Sequence, residues 1–425
     1  MVLWLRRAPE GAPFRDLNSL RLRDSVSRMF KRRTRGSKEQ NMTLPETDLQ
    51  QDTAEARAYN RAKHRLEIAD LVVGFGFLIV LLATGWTNSL RDFSVRLGRE
   101  YYALRIFWYV LLLSAISKAL GIGLDFYGYR LEHRFHLSNQ KLGSWIKDQF
   151  KGWILGLLLG TLLAEIAYGL MRTSPEHWWI YAWLIFIGLF IFFAQIAPVV
   201  VFPLFYKFSP LQNEELKGRL VRLGERAGTR VRGVYEWKLS EKSKKANAAL
   251  TGLGATRRII LADTLLENYS NDEIEAVLAH ELGHHVHGHT LKIILVEMGV
   301  ALLGFWAANQ VLQYAIYEQH LFQHLTDFAN MPLLVLVFSA LSMVLMPARN
   351  AYSRFTERQA DIYCWKSVPS IGPYVTAMEK LDKQNLSESH PSRLVEILFH
   401  SHPPISKRIA AAQEWARKHR PSLAT

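Results

Sequence analysis

The stretch Trp153-Ile-Leu-Gly-Leu-Leu-Leu-Gly-Thr-Leu-Leu-Ala-Glu-Ile-Ala-Tyr-Gly-Leu-Met171 carries one charged side chain, Glu165, in nineteen residues. A helix needs about 20 mostly apolar residues to cross ~30 Å of hydrocarbon, so this stretch reads as a membrane span. Five others resemble it: Leu71–Trp86, Tyr101–Leu124, Trp178–Phe205, Ile293–Leu312 and Met331–Met346. The first and last of the six are short unless their flanks join them. Trp178–Phe205 contains Pro198 and Pro203, which should end or kink the helix near the membrane boundary. Trp86, Tyr101, Tyr102, Trp153, Trp178, Trp179 and Tyr206 lie near span ends, where aromatic belts form.

Lys and Arg are distributed unevenly between these spans. Residues 1–68, with the run Phe30-Lys-Arg-Arg-Thr-Arg35, the loop Tyr127–Lys151, the region Lys207–Lys292 and the tail after Arg349 are all basic. The loop Gln313–Asn330 has no Lys or Arg. An even number of spans puts the basic segments on one side, which the positive-inside rule makes cytoplasmic. The arm itself reads as a solvated or membrane-surface segment, helical from Asp52 to Asp70.

The whole-chain averages fit this division. The 425 residues are 49% hydrophobic with a formal charge of +14, yet the mean hydropathy is about zero, an average over apolar spans and basic loops. One cysteine, Cys364, excludes an internal disulfide framework and a cysteine-based zinc site. No aromatic-basic module supports a nucleic-acid role for the positive charge.

The segment Lys207–Lys292 is the one long polar insertion between spans, and its pattern is α/β. Glu214–Ala227 has helical periodicity, Val231–Leu239 is β-rich, Arg257–Leu261 reads as a short strand and Asn271–His289 as a helix. Ser270-Asn-Asp-Glu273 supplies cap residues and first-turn acids for that helix.

That helix contains His280-Glu-Leu-Gly-His284. Imidazoles four residues apart project from one face and can bind one zinc ion, and Glu281 is placed to act as general base. A third ligand is needed. Glu357 and Asp361 also lie four apart, so one can ligate zinc while the other accepts the outer N–H of a ligating histidine. His285, His287 and His289 are rotated off the zinc face and read as helix-end or supporting groups. His320 and His324 read as part of a helix in the opposite-side loop, without metal. Lys118, Asp125, Glu165 and Glu297 fall in or beside spans, and Lys118 with Glu165 is a candidate ion pair.

Several ordered motifs resemble the integral-membrane zinc endopeptidases that process prenylated CAAX proteins, peptidase family M48, with kinship to bacterial heat-shock membrane proteases. They are Phe126-Tyr-Gly-Tyr-Arg-Leu-Glu-His-Arg-Phe135, Pro203-Leu-Phe-Tyr-Lys-Phe-Ser-Pro-Leu-Gln212, Lys245-Ala-Asn-Ala248, Asp263-Thr-Leu-Leu266, Ala279-His-Glu-Leu-Gly-His284, Ser353-Arg354 with Glu357, Ala360 and Asp361, and Ser401-His-Pro-Pro404 with Arg408. The resemblance implies a mostly α fold, a ring of membrane helices enclosing a chamber with a zincin-like (gluzincin) α/β unit at the cytoplasmic rim. It implies one Zn2+ per chain on His280, His284 and Glu357, with Asp361 behind them and Glu281 as base and acid. It also implies His402 as the histidine that stabilises the oxyanion or holds substrate, Arg408 as its partner, and Asn247 and Ala248 as the edge that holds an extended peptide.

Eukaryotic members of that family have seven spans. This chain shows six, with the Arg-rich arm where the first would lie, and Lys407 stands where an acidic residue is usual. These features resemble a prokaryotic relative.

The expected organisation is therefore a cytoplasmic arm over 1–68, four membrane helices over 69–206 with a loop at 125–152, and a protease unit over 207–292. Two more membrane helices follow over 293–348, and 349–425 completes the active site. The expected activity is zinc-dependent peptide-bond hydrolysis at the cytoplasmic face of a plasma, inner or endoplasmic reticulum membrane, on a peptide or protein that is prenylated or plain. The alternatives are a quality-control protease of the heat-shock type and a non-catalytic metal-binding scaffold or transporter. The intact Glu281 argues against the last.

Overall fold

A computed structural model of the chain describes residues 52–252 and 257–419. The Arg-rich run at 30–35 and the rest of the arm to residue 51 lie outside the described residues.

Among the described residues, six helices are long and apolar enough to cross a membrane. They are α1 (Ala54–Ala83), α3 (Tyr102–Arg134), α4 (Leu142–Thr173), α5 (Trp178–Ile196, extended to Phe205), α10 (His289–Tyr317) and α11 (Met331–Ser367). The short helix α2 (Trp86–Gly98) joins α1 to α3. The two stretches that look short in sequence are completed by polar flanks in the same helix: α1 begins at Ala54, and α11 runs 37 residues to Ser367. Pro198 does not stop its helix. The missing N–H is absorbed by a wider π turn over Ala197–Val201, after which α6 (Phe202–Phe205) follows.

The six spans close into a ring. Packing runs α1 to α3, α3 to α4, α4 to α5, α5 to α10, α10 to α11, and α11 back to α1. The ring encloses a cavity of about 1430 Å³ lined by all six, by apolar side chains such as Leu78, Val110, Phe186, Val300 and Phe338.

Polar contacts gather at the ring's two ends and sort the loops between them. At one end the Arg91 guanidinium pairs with the buried Asp327 carboxylate at 2.7 Å, and Tyr102 donates to the Thr326 carbonyl. At the other, Tyr59 donates to Glu132, Lys245 pairs with Glu132, Lys242 with Asp148, and Asn60 donates to the Leu386 carbonyl. The start of α1, the polar insertion, the C-terminal part and the α3–α4 turn thus share one end; the expected loop over 125–152 is only the connection 135–141, because its flanks continue the helices out of the spans.

Two expectations are corrected at these ends. Lys118 does not reach Glu165; its ammonium donates to Asp125 and Gln149, because Asp125 lies two turns along the same helix face and within reach of a long side chain. The loop carrying His320 and His324 is not helical. It is organised by Asp327, whose carboxylate accepts from the Ala329 amide and Arg91. Removing the Arg91 side chain strands the buried Asp327 charge, so Arg91→Ala is expected to cost ~3 kcal/mol. Thermal unfolding in detergent measures it, and an Arg91→Leu/Asp327→Asn pair, which removes the charge but keeps an acceptor for the Ala329 amide, should recover most of the loss.

The polar insertion holds β1 (Phe208–Pro210), α7 (Glu214–Arg226), β2 (Gly233–Trp237), β3 (Ala248–Thr251), β4 (Arg258–Ala262), α8 (Asp263–Asn268) and α9 (Asn271–Val286). The sheet order is β1-β2-β4-β3, with β2 and β4 parallel and the outer strands antiparallel. Among the described residues this leaves β3 on an edge. Helix α9 starts in a reciprocal cap: Ser270 accepts from the Glu273 amide, and the Glu273 carboxylate accepts from the Ser270 amide. Gly288, at φ 63°, turns the chain from α9 into α10. After α11 come α12 (Gly372–Asn385), α13 (Arg393–Phe399) and α14 (Ile405–His419).

Candidate metal centre and substrate cavity

Helices α9 and α11 pack against each other, and Gly283 sets how closely. A Cβ on Gly283 would stand 2.7 Å from the Ala360 Cα and 2.9 Å from its carbonyl oxygen. The contact is with backbone, which cannot swing aside. Cys364 donates from its thiol to the Ala276 carbonyl across the same interface. Gly283→Ala should therefore push the two helices apart, costing about 2 kcal/mol by overpacking and weakening metal retention. Thermal unfolding together with metal content after purification checks both effects.

The close packing brings His280 and His284 of α9 to Glu357 of α11. His280 Nε2 lies 3.2 Å from Glu357 Oε2 and 3.3 Å from His284 Nε2, and His284 Nε2 lies 3.3 Å from Glu357 Oε1. His280 and Glu357 are buried and His284 is half-buried.

The partners on the far side of each ring assign its tautomer. His280 Nδ1 lies 2.9 Å from the Asp361 carboxylate, so that nitrogen carries the proton. His284 Nδ1 faces His289 Nδ1 at 3.0 Å, and His289 Nε2 faces Gln359 Oε1 at 2.9 Å. The amide oxygen only accepts, so His289 carries its proton on Nε2 and accepts at Nδ1 from His284. Both Nε2 atoms of the zinc-motif histidines then present lone pairs to one point. Two nitrogen lone pairs and a carboxylate at this separation repel unless a cation sits among them.

Ligands at 2.0–2.1 Å in a tetrahedron stand about 3.3 Å apart, close to the three separations here. The Glu357 Oε2 atom is buried without a hydrogen-bond partner among the described residues. The donors therefore fit a tetrahedral metal ion of the zinc type. Burial and Arg408 oppose a charged His280 ring, but Asp361 and Glu357 outweigh them and raise its pKa to about 9, so a metal ion bound here would take the place of a proton on Nε2. The site favours positive charge at this position.

Arg408 of α14 lies behind the donors. Its Nε and Nη2 atoms bond both oxygens of Asp361, at 2.9 and 2.6 Å, and Nη2 is 3.3 Å from His280 Nδ1. Its hydrogen bonds thus go to Asp361, the residue that holds His280. The sequence resemblance pairs it instead with His402. His402 Nε2 lies 3.3 Å from Glu357 Oε1, its Nδ1 faces the Ser401 hydroxyl, and the side chain is largely exposed.

Glu281 lines a cavity of about 520 Å³ together with His280, Asn247, Ala248, His402 and Arg408. Burial raises the Glu281 pKa, with His280 and His284 opposing. Asn247 and Ala248 stand at the start of edge strand β3, which pairs with β4 on one side only among the described residues. Ser401, next to His402, also lines the membrane chamber. The site residues named from sequence are thus gathered at one place, where the α/β unit meets the ring. His289, read from sequence as a helix-end or supporting group, stands behind His284, whereas Gln359 and the close approach at Gly283 are additions that the structure supplies.

A ring of six membrane-capable helices with an H-E-x-x-H helix against one span defines a multi-pass membrane metallopeptidase. Residues 210–416 match the model of peptidase family M48, and residues 38–207 match that of the CAAX prenyl protease N-terminal region with five membrane helices. A Bacillus subtilis protein named as an uncharacterized metalloprotease, YhfN, is 32% identical over 368 residues, covering 85% of this chain and 86% of the relative. The Homo sapiens CAAX prenyl protease 1 homolog is 26% identical, covering 74% of each. The crystal structure of S. mikatae Ste24p superposes with a TM-score of 0.78 at 23% identity, covering 88% of this chain and 92% of that one. The chain belongs to peptidase family M48 and is a membrane metalloprotease.

Proposed function

We propose that the protein is a zinc-dependent endopeptidase that cuts an extended peptide in the 520 Å³ cavity, with His280, His284 and Glu357 holding the zinc. The convergence of three donor atoms at about 3.3 Å, with both histidine rings backed by an outer partner, carries this reading. Zinc bound there would polarise the scissile carbonyl and make water a nucleophile near neutral pH. Asp361 and the His289–Gln359 pair fix the ring orientations, and Arg408 holds Asp361 in place.

Glu281 takes the proton from attacking water and returns it to the leaving amine. His402, exposed to the cavity beside Glu357, donates to the oxygen of the tetrahedral centre, an interaction whose loss elsewhere costs ~10²–10³ in rate. The peptide main chain adds to the free edge of β3 at Asn247 and Ala248.

The active site faces the cytoplasm in this reading, because the end of the ring that carries it also carries the Arg- and Lys-rich segments. The chamber between the spans is apolar and reaches Ser401, so a lipid-modified substrate can place its chain there while its peptide lies in the site. This supports a CAAX-type substrate. A quality-control role on misfolded membrane proteins uses the same edge without the lipid. Cleavage by purified protein of a farnesylated peptide, the same peptide without lipid, and an unfolded protein separates the two. Preference for the first supports CAAX processing, and equal cleavage of all three supports quality control.

A further inference from the structure

We infer that His64, Glu388 and His400 form a second divalent-cation site, of the zinc type, on the wall of the same cavity and separate from the His280–His284–Glu357 centre. His64 lies on α1, Glu388 in the segment between α12 and α13, and His400 just after α13. Their donor atoms lie within 4.8 Å of one another. His64 Nε2 is 3.1 Å and His400 Nε2 3.4 Å from the same oxygen, Glu388 Oε2. The three side chains are only 16–19% exposed, and all three line the cavity that Glu281 lines.

His64 stands between two carboxylates. Its Nδ1 faces Glu67 Oε2 at 3.3 Å while its Nε2 faces Glu388 Oε2. If Nδ1–H goes to Glu67, in the carboxylate–histidine pattern that supports metal ligands, Nε2 is left as a donor atom aimed at Glu388. His400 presents its Nε2 to the same Glu388 oxygen. Two imidazoles and a carboxylate that converge in a partly buried place suit a borderline ion such as zinc, with one coordination position left toward the cavity.

The support around the cluster is built as a site would need. Glu388 precedes Ser389, whose amide donates to Asp52 and whose hydroxyl is bonded to Asp382. The His400 carbonyl accepts from Arg354, one turn before Glu357 on α11. His400 is also two residues from His402. An ion here would tie the first membrane helix to the segment that presents His402, fixing one wall of the substrate cavity independently of the catalytic ion.

Equilibrium dialysis of the detergent-purified full chain against buffered zinc, with bound metal counted by mass spectrometry, tests this. The expected result is about two zinc ions per wild-type chain, about one in His64→Ala, His400→Ala and Glu388→Gln, and about one in His284→Ala. One ion in the wild type, kept by the first three variants and lost in His284→Ala, overturns the second site and leaves the catalytic reading intact. One ion lost in His64→Ala but kept in His284→Ala supports the second site and contradicts the catalytic one. Because an alanine variant can unfold, cobalt absorbance in the His284→Ala background gives a second reading. Bands that vanish on adding Glu388→Gln, at unchanged circular dichroism, support the site, and the absence of bands before that change overturns it.

Discussion

Glu281→Gln is expected to lower kcat about 10³-fold while the protein keeps its zinc. Glutamine preserves volume and hydrogen bonding in the 520 Å³ cavity but cannot accept a proton, and general acid–base catalysis typically contributes ~10²–10⁴ in rate. Glu281 follows His280 directly and is not one of the three converging donors, so metal content should stay near the wild-type value. Turnover from mass-spectrometric cleavage, with metal counted on the same sample, separates the two effects. A variant that cuts at the wild-type rate rejects Glu281 as the base.

His284→Ala is expected to remove both the catalytic metal and measurable hydrolysis. Two donors remain, but His284 closes the triangle of 3.2–3.3 Å separations, and a tetrahedral ion needs three protein ligands beside its open position. Stability should fall as well. An ion that binds only the folded state at 1,000 times its dissociation constant contributes about 4 kcal/mol, and without it Glu357 and Asp361 stay buried with less positive charge between them. The wild-type protein treated with a chelator should show the same drop in thermal stability, recovered on adding zinc. An unchanged melting temperature after chelation contradicts this.

The spans could be read from the sequence because hydrocarbon imposes a length and a composition, and all six appear as helices. Their ends could not. The shift from apolar to polar at Asp70 or Arg349 marks where a helix leaves the lipid, not where it stops, so the rods of α1 and α11 extend well beyond it. That extension matters, since Glu357 and Asp361 ride on the protruding end of α11.

The H-E-x-x-H spacing and the Glu357–Asp361 pair were legible for a similar reason: a period of four on a helix is local information. The cap at Ser270 was legible too, its donors and acceptors lying three residues apart. Contacts that join distant segments carried no such sign. The Gly283–Ala360 approach looks like an ordinary helical glycine until the partner backbone is in place. His64, Glu388 and His400 span more than three hundred residues with no shared spacing. Lys118 has several charged groups in or beside spans as possible partners, and only the fold shows that Asp125 and Gln149 lie within reach.

The central claim is most directly tested by incubating the purified protein with farnesylated and unmodified peptides, with and without a zinc chelator, and identifying the products by mass. Discrete cleavage that the chelator stops, that zinc restores and that Glu281→Gln lacks is the predicted result. Cleavage that persists in the chelator or in the Glu281 variant, or intact peptides in the zinc-loaded wild type, would contradict it.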